Sequence, residues 1–147
     1  MIIPDSTVLI QVINADSPNH RTAFRWWADL TEKGEPVGLA WNVVLSFLQL
    51  STKPGIFPRP LETHQAWNIV EVWQKNRCCQ IIAPGRHHFR IFKTLVGETN
   101  GESHGFADLH LAALVIEHGG ELHSTNTHFG RIPSLRWKNP LAQRLLF

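Results

Sequence analysis

Cysteine is scarce in this chain of 147 residues: there are two, Cys78 and Cys79, and they are neighbours. Adjacent cysteines are badly spaced to bridge each other and supply no C-x-x-C clamp. A disulfide scaffold and a thiolate zinc site are therefore excluded, and a reducing cytoplasm is the expected setting. Long apolar runs are missing as well. They are broken by charge or glycine far short of the ~20 residues needed to cross a bilayer. Met1-Ile2-Ile3-Pro4-Asp5 also lacks the basic and extended apolar segments of a secretion signal. The expectation is a chain with no membrane span. Charge of one sign is in short supply too: charged residues make up 18%, and the net charge is +2 with His neutral. That balance permits nucleic-acid binding without requiring it.

What is present is an ordinary globular composition, 43% apolar, without a repeat of fixed period or a low-complexity tract. A chain this long can bury roughly two-thirds of its unfolded surface, so one domain over residues 1–147 is expected. Ile2 and Ile3 read as a short strand delivering Pro4 and Asp5, and Val8, Leu9, Ile10 and Val12 follow with ambiguous period. Asp16-Ser17-Pro18 signals a helix start, and Ala23, Trp26, Trp27 and Leu30 keep helical spacing up to Gly34. Val37 to Leu39 reads as a strand, and Trp41 to Leu50 as a helix with Trp41, Val44, Leu45 and Leu48 on one face. After a proline-rich loop, Leu61 to Gln74 is helical and Gln80 to Ala83 is a buried strand. Arg86 to Val96 is the next helix, with Phe89, Phe92 and Val96 on its apolar face; Gly97 to Gly105 is a loop. Ala107 to Glu117 is an apolar helix ended by His118-Gly119, Glu121 to Ser124 a central strand, and Leu135 to Trp137 a short edge strand. Strands alternating with helices require crossovers, which predicts an α/β fold: a three-layer α/β/α sandwich on a central parallel sheet.

Ligand sites in such sheets gather outside the carboxyl ends of the strands. Asp5, with Ser6 and Thr7 behind it, emerges there, either as a turn or helix cap or as a functional carboxylate. Asp108 opens an apolar helix, where a carboxylate can serve the helix N-terminus or a site. The Thr125 to His128 segment follows a late strand to the same edge. Hard divalent cations take oxygen ligands, so sites that hydrolyse phosphodiesters gather carboxylates from separate elements.

These stretches resemble a known family. Met1-Ile-Ile-Pro-Asp5, Val8-Leu9 and Asn14-Ala-Asp-Ser-Pro-Asn-His20 are similar to the opening of PIN-domain ribonuclease toxins of the VapC type. Trp41-Asn-Val-Val-Leu-Ser-Phe47-Leu48, Phe57-Pro-Arg-Pro-Leu61, Asp108-Leu-His-Leu-Ala-Ala-Leu114, Ser124-Thr-Asn-Thr-His-Phe129 and Leu135-Arg-Trp-Lys-Asn-Pro-Leu141 continue the likeness over almost the whole chain, in order. The resemblance implies the toxin of a type II toxin-antitoxin system. Such a protein is an endoribonuclease dependent on Mg²⁺, or Mn²⁺, that cleaves RNA and forms a homodimer neutralised by a VapB-like antitoxin. Carried over by residue, Asp5 and Asp108 match the catalytic, metal-binding carboxylates, and Thr7, with Ser6, stands where a small polar residue hydrogen-bonds the first Asp. Many PIN domains have a Glu in the middle helix where this chain has Ser46. Asn126 and His128 stand where the late motif usually has two Asp, and both become candidate metal ligands; amide and imidazole suit a hard cation less well than carboxylates do. The alternative is therefore a PIN-fold RNA- or antitoxin-binding protein with weakened or lost catalysis.

Arg86 and Arg131 are candidate RNA contacts, with Lys53, Arg59, Arg136, Lys138 and Arg144 as further basic positions. His118, His123 and His128 recur every five residues, a spacing that fits neither a helix face nor an H-E-x-x-H pair. A His-rich metallohydrolase is the third and weakest reading.

Overall fold

The computed structural model describes residues 1–99 and 105–142, and it contains one sheet of five parallel strands. β1 (Ile2–Pro4), β2 (Val37–Ala40), β3 (Cys79–Ile82), β4 (Glu121–His123) and β5 (Trp137–Lys138) lie in the order β3-β2-β1-β4-β5. Helices α1 (Ser6–Ile13) and α2 (His20–Glu32) join β1 to β2, and α3 (Trp41–Thr52) and α4 (Thr63–Lys75) join β2 to β3. Helices α5 (His88–Thr99) and α6 (Phe106–Glu117) lead to β4, and a 3-10 turn over Thr127–Arg131 precedes β5.

The chain steps one way across the sheet from β1 to β3, then returns past β1 to β4. With right-handed crossovers that reversal puts α1 to α4 on one face and α5 with α6 on the other. Packing agrees: α1 touches α2 and α3, α3 touches α4, and α5 lies against α6. Strands covered on both faces need continuous apolar sequence, and Ile3, Val37, Leu39, Ala40 and Leu122 are fully buried. Helix α6 is buried almost all round, through Leu109 and Leu111 to Val115, as expected of a helix inside the core. Among the described residues no helix is long and apolar enough to cross a membrane.

Several sequence expectations need correction. The ambiguous stretch after Asp5 is helical, with Val8, Leu9, Ile10 and Val12 all buried, because apolar residues around the whole circumference erase the periodic signal. Helix α2 starts at His20 rather than at Pro18; the Ser17 hydroxyl instead accepts the Asn19 N–H at 3.3 Å inside the preceding turn. In α3 the buried face is Val43, Val44, Phe47 and Ser51, while Trp41 and Leu45 stand in solvent. Phe89 is likewise exposed, and α5 runs through Gly97 to Thr99 instead of stopping at Val96. The remainder of the expected 97–105 loop, residues 100–104, lies outside the described residues, as does Arg144.

Candidate active site

The order in which the chain adds strands reverses between β1 and β4, and a crevice at such a point is where open α/β sheets bind ligands. Register places Pro4 opposite His123, so Asp5 and Ser124 are the first residues beyond the two strand ends. The Asp5 N–H donates to the His123 carbonyl at 2.9 Å, which fixes the backbone there. Asp5 is the N-cap of α1, and its Oδ1 accepts the Ser6 N–H at 2.7 Å. The cap and the site are thus the same side chain.

Hydroxyls supply the other donors. Ser124 Oγ, fully buried, donates to Asp5 Oδ2 at 2.8 Å, and Thr7 Oγ1 donates to the same oxygen at 3.2 Å. Thr7 Oγ1 also accepts the Thr125 N–H at 3.2 Å, and Ser124 Oγ accepts the Asn126 N–H at 3.0 Å. From α3, Ser46 Oγ donates to Ser6 Oγ at 3.2 Å, and Ser6 Oγ approaches Asp5 Oδ1 at 3.4 Å. Position 46 therefore points at Asp5 through Ser6. Asn42, one turn earlier on the same helix face, has a buried amide oxygen without a hydrogen-bond partner among the described residues.

Asp108 sits half-buried in the first turn of α6. This helix enters β4 through a tight turn at Gly119, whose φ of 62° is the left-handed conformation glycine tolerates. It must therefore run antiparallel to β4, and its first turn returns to the carboxyl edge of the sheet. Asn126 caps the 3-10 turn on that edge, its Oδ1 accepting the His128 N–H at 3.0 Å. His128, Arg86 and Arg131 are exposed, and Arg86 Nε donates to the His87 ring at 3.2 Å. The structure thus joins Asp5, Ser6 and Thr7 to Ser124, with the Asn126 backbone beside them, and brings Asp108 to the same edge.

Sequence reasoning missed Ser124 as a partner of Asp5 and treated Ser46 only as a lost acid. No sequence signal marked Ser124: it follows Glu121-Leu122-His123, a strand with polar residues at both ends, and reads as that strand's own last residue. Ser46 carried no mark either, because its partner Ser6 lies on another helix.

The three periodic histidines are separated. His118 Nε2 pairs with the Ala83 carbonyl at 3.0 Å. His123 is buried, with its Nδ1 accepting from Trp26 Nε1 at 3.0 Å and its Nε2 facing Glu121 Oε1 at 2.8 Å. Burial holds the His123 ring below its ordinary pKa, against the opposing pull of Glu121. Neutral His123 with its proton on Nε2 satisfies both neighbours. His110 turns toward α5, its Nδ1 2.9 Å from His88 Nε2, and burial first and then the His88 charge lower its pKa. Among the described residues no group of three His, Cys, Asp or Glu could hold a metal ion. The two thiols stay free, 3.9 Å apart, and burial pushes Cys79 up to about 12.

The donors around Asp5 are all oxygens: a carboxylate, three hydroxyls and, on the same sheet edge, the Asp108 carboxylate. Mg²⁺ is commonly held by one or two carboxylates while keeping waters and taking substrate phosphate oxygens. The residues present therefore fit a hard divalent cation that keeps several waters.

Comparison with known proteins places this geometry in a family. The PIN domain family model matches residues 2–135. Ribonuclease VapC33 of Mycobacterium tuberculosis (strain ATCC 25618 / H37Rv) is 32% identical over 97% of this chain and 100% of its own. Ribonuclease VapC37 of the same strain is 33% identical over 97% of this chain and 99% of its own. Among solved structures, VapBC2 from Rickettsia felis bound to a promoter DNA fragment superposes with a TM-score of 0.73 at 18% identity, covering 94% of this chain and 98% of that one. VapC20 of Mycobacterium tuberculosis, a sarcin-ricin loop cleaving toxin, gives 0.67 at 14% identity, covering 92% and 99%. With its parallel five-stranded sheet, its carboxylate at the β1/β4 reversal and these full-length relatives, the chain belongs to the PIN-domain family, among the VapC ribonucleases.

Proposed function

We propose that this protein is the toxin of a type II toxin-antitoxin system, an endoribonuclease that cleaves RNA and is neutralised by a VapB-like antitoxin. The observation that carries the reading is the Asp5 carboxylate, held by Ser124 and Thr7 at the point where the strand order reverses. Full-length relatives at 32–33% identity are named ribonucleases, and solved neighbours are toxin-antitoxin complexes, which supports the antitoxin as partner.

Asp5 and Asp108 are the catalytic carboxylates and hold Mg²⁺, with Mn²⁺ as a substitute. Asn126 and His128 complete the oxygen and imidazole donors at the edge. Such a cation supplies charge that polarises a phosphodiester and acidifies water. Ser6, Thr7 and Ser124 fix the orientation of the Asp5 carboxylate, with the Ser124 and Thr7 hydroxyls on Oδ2 and the Ser6 N–H on Oδ1. Arg86 and Arg131, both exposed, take RNA phosphates. Residues 1–147 act as one PIN-like domain. Trp41, Leu45 and Trp67, large apolar side chains exposed on α3 and α4, support association as a homodimer. Free thiols and the absence of a membrane-crossing helix among the described residues support a cytoplasmic setting.

One observation favours a second reading, a PIN-fold binding protein with weakened catalysis: the Asn126 amide oxygen already caps a backbone N–H, leaving two carboxylates. The deciding experiment is incubation of total RNA with purified protein in Mg²⁺, in Mn²⁺ and in EDTA, beside Asp5→Ala and Asp108→Ala. Cuts that need metal and vanish in both variants are expected. RNA that is bound but uncut in every lane would establish the second reading instead.

A further inference from the structure

Beside the Asp5 site lies a cleft of about 420 Å³ whose wall begins at Thr7, the residue whose hydroxyl holds Asp5 Oδ2. From Thr7 it follows α1 to Gln11 and Asn14, turns into the α1–α2 loop at Asp16, and is closed by Ile56 and Pro58 from the loop after α3. Gln11 is one helical turn from Thr7, about 6 Å along the axis, and Asp16 lies past the C-terminus of α1, about 12 Å from Thr7, so the cleft adjoins the carboxylate at its Thr7 end and reaches Asp16 about one nucleotide away.

Its polar groups are partly used and partly open. Gln11 Nε2 donates to the Thr7 carbonyl at 3.0 Å, and Gln11 Oε1 accepts from Ser17 Oγ at 3.3 Å. Asn14 Oδ1 accepts the Asp16 N–H at 3.2 Å, and Asn14 Nδ2 faces the Ile56 carbonyl at 3.5 Å. Each amide nitrogen has two hydrogens, so each keeps one N–H free for a guest. The Asp16 carboxylate, among the described residues, has no partner for its side chain. The apolar surfaces of Ile56 and Pro58 offer a flat ring something to lie against. An acceptor pair, amide donors and apolar walls together suit a planar heterocycle with adjacent N–H donors and a carbonyl.

We propose that this cleft holds a nucleobase next to the scissile phosphate and that Asp16 selects guanine. Guanine alone among the four RNA bases presents two adjacent donors, N1–H and the 2-amino group, that a carboxylate takes side by side, with O6 left for the Gln11 or Asn14 N–H. Adenine turns an acceptor nitrogen toward the carboxylate, uracil offers one donor between two acceptors, and cytosine offers one donor beside an acceptor. Sequence selection in RNA of this kind acts on unstacked single-stranded bases. The proposal rests on the ribonuclease reading above.

The test uses single-stranded RNA oligonucleotides differing only in guanine, inosine or adenine at the nucleotides flanking the cut, with the full-length protein. Wild type is expected to prefer guanine over inosine, which keeps N1–H but lacks the 2-amino group, by about tenfold in kcat/KM, the size of one hydrogen bond to a charged acceptor. In Asp16→Asn that ratio falls toward one. Ile56→Trp, which fills the cleft from an exposed position, also lowers it and serves as a second variant should Asp16→Asn fold poorly. Equal cleavage of guanine and inosine by wild type, or an unchanged ratio in both variants, overturns the proposal. Binding of the same labelled RNAs to Asp108→Ala separates the two readings. Guanine-dependent binding without metal-dependent cleavage in wild type would sink the nuclease and keep the cleft; cleavage without guanine dependence would do the reverse. Variants that keep base selectivity but escape antitoxin neutralisation would give the cleft to the antitoxin and overturn the proposal as well.

Discussion

Asp5 and Glu117 are both carboxylates held by several donors, yet the donors differ in kind. Glu117, the last residue of α6, accepts the Gly85 N–H at 2.7 Å and the His87 N–H at 2.9 Å, with His88 Nδ1 3.9 Å away. Its side chain is 9% exposed, and a Cβ on Gly85 would come within 2.8 Å of it. Burial pushes this carboxyl up, but the two backbone N–H groups and the nearby His88 and His118 outweigh it and hold it below its usual range. Asp5 has one backbone donor and otherwise hydroxyls. A backbone N–H cannot turn away, whereas a hydroxyl rotates and can accept as well as donate. Glu117 is a fixed clamp between α6 and the turn before α5; Asp5 is a carboxylate whose partners can yield an oxygen to a cation or substrate.

The comparison breaks most sharply in a pair of variants. Asp5→Asn is expected to lower metal-dependent RNA cleavage by at least about 100-fold and to remove the thermal stabilisation given by Mn²⁺. Glu117→Gln should leave both within about twofold. Cleavage surviving in Asp5→Asn would move the chemistry elsewhere in the molecule. Next in size is Ser124→Ala, which removes the shortest hydroxyl bond to Asp5 and leaves the Asn126 N–H without its acceptor. Loss of a residue orienting a metal ligand costs roughly 10–100-fold in metal affinity or activity, and a Mn²⁺ titration followed by thermal shift measures it. Wild-type affinity in Ser124→Ala would show that Thr7 alone orients the carboxylate. For the clamp, Glu117→Ala leaves two backbone donors unpaired and should cost about 2 kcal/mol, read by urea denaturation, with cleavage of RNA unchanged.

Much of the fold was legible in the sequence because the central strands β1 and β2 are short apolar runs separated by helices with apolar periodicity. The run of β1 ends on Asp5, and the 125–128 segment follows a later strand, which placed both on one sheet edge, whereas Ser124 read as the last residue of that strand. Helix faces were less legible. Trp41 and Leu45 share helical spacing with Val44 and Leu48, and periodicity alone cannot say which side of α3 meets the sheet. The Ser46–Ser6–Asp5 chain was hidden for a different reason. It is made by two helices of ordinary composition, and a serine facing a serine leaves no trace in charge or hydropathy. The Glu117 clamp was hidden likewise, since its donors are backbone groups that any sequence possesses.

The smallest effect separates the clamp from its surroundings by pH. His123 has a pKa lowered in the folded state from an ordinary 6.5, chiefly by burial, so the unfolded chain binds the proton more readily. Its contribution is complete above about pH 6.5 and is lost as the pH falls below that toward the folded value. Protonation also puts a hydrogen on Nδ1, where Trp26 needs an acceptor. His110, lowered by burial and by His88, loses stability in the same window. Glu117 has a folded pKa lowered from 4.5, so its contribution persists above pH 4.5 and disappears only on further acidification. Stability against pH, followed by thermal unfolding from pH 8 down to about pH 2, should therefore fall in two stages, the second below pH 4.5. His123→Gln, which keeps an acceptor for Trp26 and a donor for Glu121, should flatten the first stage in part, because His110 remains. Glu117→Gln should spare the first stage and flatten the second. A single fall that neither variant alters would place the acid sensitivity in other groups and deny Glu117 its role as a charged clamp.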